Sequence, residues 1–281
     1  MPDTLRLGLI GDNIALSQSP RLHRLAGAQC GLDVTFDLLV PRDEGLEFSP
    51  LFDGLAARGY RGVSVTYPYK ERAMDKVTVC EDLAHAIGAV NTVVFENGRV
   101  LGFNTDHSGF VAAYRQARPG RLPGDVVLMG AGGVGRAVGF GLASLGATRL
   151  RLVDRDAGKA EDLAKALRKA FPAIGLDVGS DAAGMAAGAG GFVNCTPVGM
   201  AGHEGTPLPR AAMSGGRWAF DAVYTPARTQ FLEDARALGM TAISGMALFF
   251  RQGSEAWRIY SNRAVDEDRL HAAFVDGLEP A

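Results

Sequence analysis

Gly130, Gly132 and Gly135 stand in the spacing G-x-G-x-x-G, and Asp154 follows Gly132 by 22 residues. In such a run the first glycine permits a tight turn and the second lets the backbone approach a pyrophosphate. The third lets a helix pack close to a strand, and the distant acid accepts the hydroxyls of an adenosine ribose. The chemistry is therefore dinucleotide binding. A carboxylate repels a 2′-phosphate, so Asp154, with Asp156 adding charge to the same turn, favours NAD over NADP; Arg155 between them pulls the other way.

A second group of reactive side chains falls at other strand ends. Ser17 and Ser19 precede a helix that starts at Pro20. Ser19 has the chemistry of an N-cap, Ser17 is not needed for one, and together with the positive end of the helix they could hold a small carboxylate. Lys70 comes just after the apolar run GVSVT, and Asn91 lies in GAVNTV. Asn104, Thr105 and Asp106 open a further helical run, where Asp106 is either its cap or part of a site. A lysine, an aspartate, amides and hydroxyls at strand ends read together as a site for a polar, hydroxyl-bearing molecule, since α/β proteins place ligands at the carboxyl ends of their strands.

The elements that must carry these groups follow from the apolar pattern. LRLGLIG, VTFDLLV, GVSVT and TVVFENGRVLGF read as strands, with helices from about Pro20, from Glu44 to Arg58 and from Glu81 to Ile87. Asn97-Gly98 between two apolar runs predicts a hairpin. From Val126 a second set begins, with strands in VVLMG, RLRLVD, GFVNCTP and RWAFDAV, and helical patterns at 245–260 and 266–278 close the chain. Strands alternating with helices predict the α/β class. The expected organisation is an N-terminal α/β domain over 1–105, a Rossmann-type dinucleotide-binding domain over 106–243 and C-terminal helices over 244–281 that return to the first domain.

Composition narrows the alternatives. With 281 residues, 47% hydrophobic and 21% charged, the chain can bury one or two cores. A formal charge of −2 without a basic block argues against nucleic acid as a partner. The longest apolar run, 126–147, is interrupted by glycines and Arg136, and the first eleven residues lack a basic start and a cleavage site; the expectation is no membrane span and no export. Three scattered cysteines, Cys30, Cys80 and Cys195, suit a reducing cytoplasm, and five histidines at no metal-ligand spacing predict no metal site.

Eight motifs in order, GLIG…SQSP, VSVTYPYKE, GAVNTV, GFNTDHSGF, GAGGVGRA, VNCTPVGM, DAVYTPARTQFL and Gly245-x6-Gln252, resemble the shikimate/quinate dehydrogenase family along nearly the whole chain. The resemblance implies a substrate-binding α/β domain, an inserted Rossmann domain and a cleft separating them. It also implies reversible hydride transfer between nicotinamide and the ring C3 hydroxyl of a cyclohexane or cyclohexene carboxylic acid. Carried over, Ser17 and Ser19 hold the substrate carboxylate. Lys70 is the general acid/base, and Asp106 orients the reacting hydroxyl and shares its proton. Thr66, Asn91 and Gln252 bond the other ring hydroxyls, and Tyr224 lines the cleft. The cofactor falls to Gly130, Ala131, Gly132, Gly133, Val134 and Gly135, with Asp154, Arg155, Thr196, Val223 and Gly245.

Four departures from the family pattern stand out. Ser64 replaces an asparagine beside the substrate, and Leu248 replaces the methionine set against the nicotinamide. Asp154-Arg155-Asp156 replaces the N-R-T or N-R-S of NADP-dependent members, and Cys195 replaces alanine. The third departure resembles the NAD-using quinate/shikimate branch. The expectation is an NAD-dependent dehydrogenase of a small hydroxy acid, cytoplasmic, either monomer or homodimer. Two other readings are an NADP-dependent biosynthetic shikimate dehydrogenase and a non-catalytic sensor of cofactor and polyol acid on the same fold.

Overall fold

A computed structural model describes residues 4–276. The chain divides into two compact units, one running up to Thr105 and resuming at Gln252, the other Asp106–Arg251. The first unit begins β1 (Thr4–Ile10), α1 (Ser19–Gln29), β2 (Asp33–Leu39), α2 (Phe48–Asp53), β3 (Gly62–Val65), β4 (Thr78–Val79), α3 (Asp82–Ile87), β5 (Thr92–Glu96) and β6 (Arg99–Phe103). These strands form one six-stranded mixed sheet in the order β2-β1-β3-β5-β6-β4.

Local chemistry explains this unit. β1 pairs in parallel with β2 and with β3, so the three strands end at one edge. β5 and β6 form an antiparallel hairpin whose turn, Asn97 and Gly98, has φ of 51° and 72°, the pair of left-handed residues that matches strand twist. All four residues of β3 are buried, as expected for a strand covered on both faces. Ile10, Leu39, Phe48, Leu51, Phe52, Val63, Val65 and Val93 form the core on one side. The single helix expected over 44–58 is replaced by a 3-10 turn at Pro41–Glu44 and the short α2. Gly45, at φ 66°, ends the first of these before the second can start.

α4 (Thr105–Ala117) leads into the second unit. It contains β7 (Asp125–Met129), α5 (Gly133–Ser144), β8 (Arg149–Val153), α6 (Ala157–Ala170), β9 (Gly175–Gly179), α7 (Ala182–Ala186), β10 (Gly191–Asn194), β11 (Trp218–Asp221), α8 (Gln230–Ala237) and β12 (Thr241–Ser244). Its sheet is parallel throughout, in the order β12-β11-β10-β7-β8-β9. The order reverses between β7 and β10, which is the crevice where doubly wound sheets take ligands. α6 shows how the sequence dictates such an element. Asp156 caps it by accepting the Gly158 and Lys159 N–H groups, Ala160, Leu163, Ala164 and Leu167 form its buried stripe, and Arg168 and Lys169 meet the negative end of its dipole.

α9 (Gly245–Ser261) and α10 (Glu267–Val275) are the last elements among the described residues. The pattern extends the last helix to Leu278, which lies outside the described residues. α10 packs on α1, where Arg21 donates to the Ala273 carbonyl at 2.9 Å.

His23 in α1 is buried with its ring stacked on Phe36, centroids 5.2 Å apart, and its Nδ1 has no hydrogen-bond partner. Burial pushes the imidazole down to about 3. The unfolded chain therefore takes up a proton that the folded chain refuses as pH falls from the ordinary histidine value towards 3, and stability declines across that window. His23→Phe removes the effect. Relative to wild type, the variant should gain roughly 2 kcal/mol between about pH 7.5 and about pH 5 in urea unfolding. An unchanged pH slope would rule His23 out as its source.

Candidate active site

In the first unit, strand register alone gathers the polar groups. β3 is parallel to β1, and β5 begins opposite its end, with Ser64 paired to Thr92 and Thr92 to Phe103. The segments after β1, β3 and β6 and the one before β5 therefore meet at one edge. Thr66 donates its N–H to the Ile10 carbonyl at 2.8 Å, and Val65 N–H reaches the Asn91 carbonyl at 2.8 Å. Gly11 makes that approach possible, because a Cβ there would come within 2.3 Å of the Thr66 methyl.

At this edge Asn91, Thr105 and Gln252 form a buried net. The Asn91 Oδ1 accepts the Thr105 N–H at 2.8 Å, and its Nδ2 donates to the Thr105 hydroxyl at 3.0 Å and to Gln252 Oε1 at 3.4 Å. Lys70 is buried on the neighbouring loop, whose backbone is fixed by the Val90 N–H donating to the Lys70 carbonyl at 2.9 Å. The loops after β1 and β3 are also tied by Tyr69, which donates its hydroxyl to Asp12 Oδ1 at 2.7 Å. Burial, followed by that carboxylate, pushes the Tyr69 phenol up to about 12 and keeps it a donor. Asp106 is the next residue after Thr105. It sits inside the first turn of α4 rather than capping it, and it too is buried.

The serines behave differently from a simple cap. α1 begins at Ser19, and its N-cap position is Gln18, which makes no side-chain capping bond. Ser17 is the one that accepts the Ser19 N–H, at 3.2 Å, while its hydroxyl donates to Ser19 Oγ at 3.1 Å. Pro20 lacks an N–H, so a cap at Ser19 would have one donor fewer to satisfy. Ser64 joins the amide net at one remove, with its hydroxyl 2.9 Å from that of buried Tyr260, which also bonds Thr92, whose own hydroxyl donates to Asn91 Oδ1 at 3.0 Å.

In the second unit the glycine turn follows β7. Gly130 has φ 94°, and its N–H donates to the Val153 carbonyl at 2.8 Å. A Cβ on Gly135 would land 1.8 Å from the Gly130 carbonyl oxygen, and one on Gly130 would lie 2.6 Å from the Cys195 carbonyl oxygen. Both glycines are thus demanded by backbone contact. Gly132 caps α5, so Gly133, Val134 and Gly135 form its first turn, with N–H groups that suit an anion. Asp154, directly after β8, accepts the Ala131 N–H on Oδ2 at 2.7 Å and the Asp156 N–H on Oδ1 at 2.9 Å. It therefore ties the turn to the acidic loop while retaining lone pairs for a ribose. Arg155 beside it is exposed. The donor set and the close approach at Gly130 fit a dinucleotide.

The remaining positions expected from the sequence to meet the cofactor lie at the ends of β10, β11 and β12. Thr196 donates its N–H and hydroxyl to Asn194 Oδ1, at 3.0 and 2.7 Å, and the Val223 N–H donates to Asp221 Oδ1 at 3.0 Å. Tyr224 stacks on Phe249 at 4.7 Å. Gly245 begins α9, where a Cβ would meet the Ala222 carbonyl oxygen at 2.6 Å. Sequence reasoning missed Asp12, Tyr69, Asn194, Asp221 and Tyr260. All but Tyr260 lie in or beside the quoted motifs, and their signal was a polar residue at the last position of a strand or just past it. Cys30, Cys80 and Cys195 form no disulfide with one another. Among the described residues no helix is long and apolar enough to cross a membrane.

A parallel sheet whose order reverses beside a G-x-G-x-x-G turn defines a Rossmann-type dinucleotide-binding protein, here with a second α/β unit bearing a polar strand edge. Comparison with known proteins agrees. Residues 9–93 match the family described as Shikimate dehydrogenase substrate binding domain. A quinate/shikimate dehydrogenase (NAD(+)) of Corynebacterium efficiens is 36% identical over 97% of this chain and 98% of its own length. A shikimate dehydrogenase (NADP(+)) of an Arthrobacter species is 34% identical over 98% and 95%. Among solved structures, quinate dehydrogenase from Corynebacterium glutamicum in complex with NAD superposes with a TM-score of 0.86 at 32% identity, covering 98% of this chain and 99% of that one. The chain belongs to the shikimate/quinate dehydrogenase family.

Proposed function

We propose that this chain oxidises the ring C3 hydroxyl of quinate, shikimate or both to the ketone, reversibly, with NAD as the preferred acceptor. The observation that carries the reading is Lys70, buried beside the Asn91–Thr105–Gln252 net, in a chain whose other unit holds a dinucleotide turn closed by Asp154. Oxidising an alcohol requires a base for its proton while hydride leaves carbon. When bound, NAD accepts that hydride.

The chain's residues supply the rest. Lys70 takes the hydroxyl proton in oxidation and returns it in reduction. Asp106, fixed through its neighbour Thr105, orients the same hydroxyl. Thr66, Asn91 and Gln252 read further ring hydroxyls, and Ser17 and Ser19 bind the carboxylate with hydroxyl donors. Ser64 acts through Tyr260, since its hydroxyl is already engaged there. Thr196 and Val223 hold the nicotinamide half of the cofactor and the glycine turn holds its pyrophosphate.

A two-by-two assay of quinate and shikimate against NAD and NADP tests this reading. Turnover should be fastest in an NAD arm. Higher kcat/KM with NADP would favour the second reading, a biosynthetic shikimate dehydrogenase, for which exposed Arg155 is the supporting feature. No turnover in any arm would overturn both.

A further inference from the structure

One side chain, Asp221, joins the carboxyl ends of two neighbouring strands. It is the last residue of β11 and fully buried. Its Oδ1 accepts the Val223 N–H at 3.0 Å and Asn194 Nδ2 at 2.9 Å, and its Oδ2 accepts the Thr229 hydroxyl at 2.6 Å. Asn194, the last residue of β10, extends the chain of bonds. Its Oδ1 holds both donors of Thr196, and its Nδ2 also reaches the Val198 carbonyl at 3.0 Å. Thr229 in turn caps α8 by accepting the Leu232 N–H. Gly245 closes the third side, packed against the backbone of Asp221 and Ala222.

The place of this network in the sheet gives it a direction. β8, with Asp154 at its end, lies on one side of β7, and β10 and β11 lie on the other. A dinucleotide whose pyrophosphate rests on the turn after β7 and whose adenosine ribose faces Asp154 therefore extends its nicotinamide half over the ends of β10 and β11. An ionised carboxyl is costly there, since burial pushes Asp221 up to about 6 even against its three hydrogen bonds. What the site gains is an acceptor with several lone pairs facing donors from three separate segments.

We propose that Asp221 is a positioning residue for the nicotinamide half of the cofactor, acting by holding the loops that carry Thr196 and Val223. The inference rests on the NAD-dependent reading and deepens it. Replacing Asp221 by alanine leaves its donors buried without an acceptor, and the two loops lose their common anchor. NADH, followed by its fluorescence, should bind Asp221→Ala about tenfold or more weakly, with a matching rise in KM for NAD. ADP-ribose lacks the nicotinamide and should keep its affinity within about twofold, measured by calorimetry, because the turn and Asp154 are untouched.

Asp221→Asn retains Oδ1 for Val223 and Asn194 and can donate to Thr229, so it should recover to within about threefold of wild type. Thr229→Val, which keeps the carboxylate, should weaken NADH by about threefold with ADP-ribose unchanged, and it decides the matter if the alanine variant does not fold. Wild-type affinity for NADH in the alanine and valine variants, or parallel loss of NADH and ADP-ribose, would overturn the proposal. Failure of the wild-type chain itself to bind NADH would instead sink the dinucleotide reading on which it rests.

Discussion

Lys70→Ala should lower kcat for hydroxy-acid oxidation by about two to four orders of magnitude, the usual scale for removing a general acid/base. The loss should fall mainly on kcat, because the carboxylate and the other hydroxyls keep their partners and only the proton transfer is lost. The fold at this edge should survive the change. The position of residue 70 is set by backbone, through the Val90 N–H bond to its carbonyl, and the neighbouring loop is pinned by Tyr69 on Asp12. Substrate binding measured without turnover therefore separates chemistry from folding. A variant that binds the hydroxy acid normally but turns over slowly identifies Lys70 as the proton carrier. Near-normal kcat would remove it from the mechanism, and loss of binding with unfolding would assign it a structural role instead. Lys70→Arg should not rescue, since a guanidinium does not give up its proton near neutral pH.

The elements visible in the sequence were those with an apolar pattern and a chemical terminator. The hairpin at Asn97-Gly98 and the glycine turn before α5 follow from local chemistry, and both stand where the pattern puts them. β4, β9 and β12 gave no such signal. β4 has two residues, β9 carries glycine at both ends and only three residues, Leu176 to Val178, between them, and β12 is a four-residue strand at the sheet edge. Their pairing is long-range, and only the closed sheet defines them.

At the site the same division holds. Asp154 was legible because its spacing from the glycines is a property of one βαβ unit. Asp221 and Asn194 were not, because a buried aspartate ending a strand looks in sequence like any turn residue. Its role emerges only when β10 and β11 lie side by side. Ser64 was legible as an unusual residue but not as a partner of Tyr260, which lies 196 positions away. Gln252 could be tied to Asn91 through the family pattern, and Thr105 stood among the polar groups at the strand ends, but the bonds that join it to both come only from the folded edge.

Cofactor choice should reverse when the acidic loop is rebuilt without breaking it. Asp154 faces two tasks, ribose recognition and anchoring of the turn through Ala131, and Asp156 caps α6. Removing both side chains outright would free the turn and the helix start, so weakened binding would say nothing about specificity. Asp154→Asn with Asp156→Thr avoids this. The asparagine oxygen can still accept the Ala131 N–H, with only the exposed bond from the residue-156 N–H given up, threonine still caps α6, and Arg155 is left beside a loop with two fewer negative charges. Placing a 2′-phosphate against carboxylates costs several kcal/mol, so their removal should raise the NADP-to-NAD ratio of kcat/KM by about a hundredfold. NAD affinity should fall as the ribose hydroxyls lose an ionised acceptor. The ratio is the decisive readout because general damage to the turn would lower both cofactors together and leave it unmoved. An unchanged ratio in a folded double variant would mean that Asp154 serves only to anchor Ala131, and that discrimination between the cofactors resides elsewhere in the second unit.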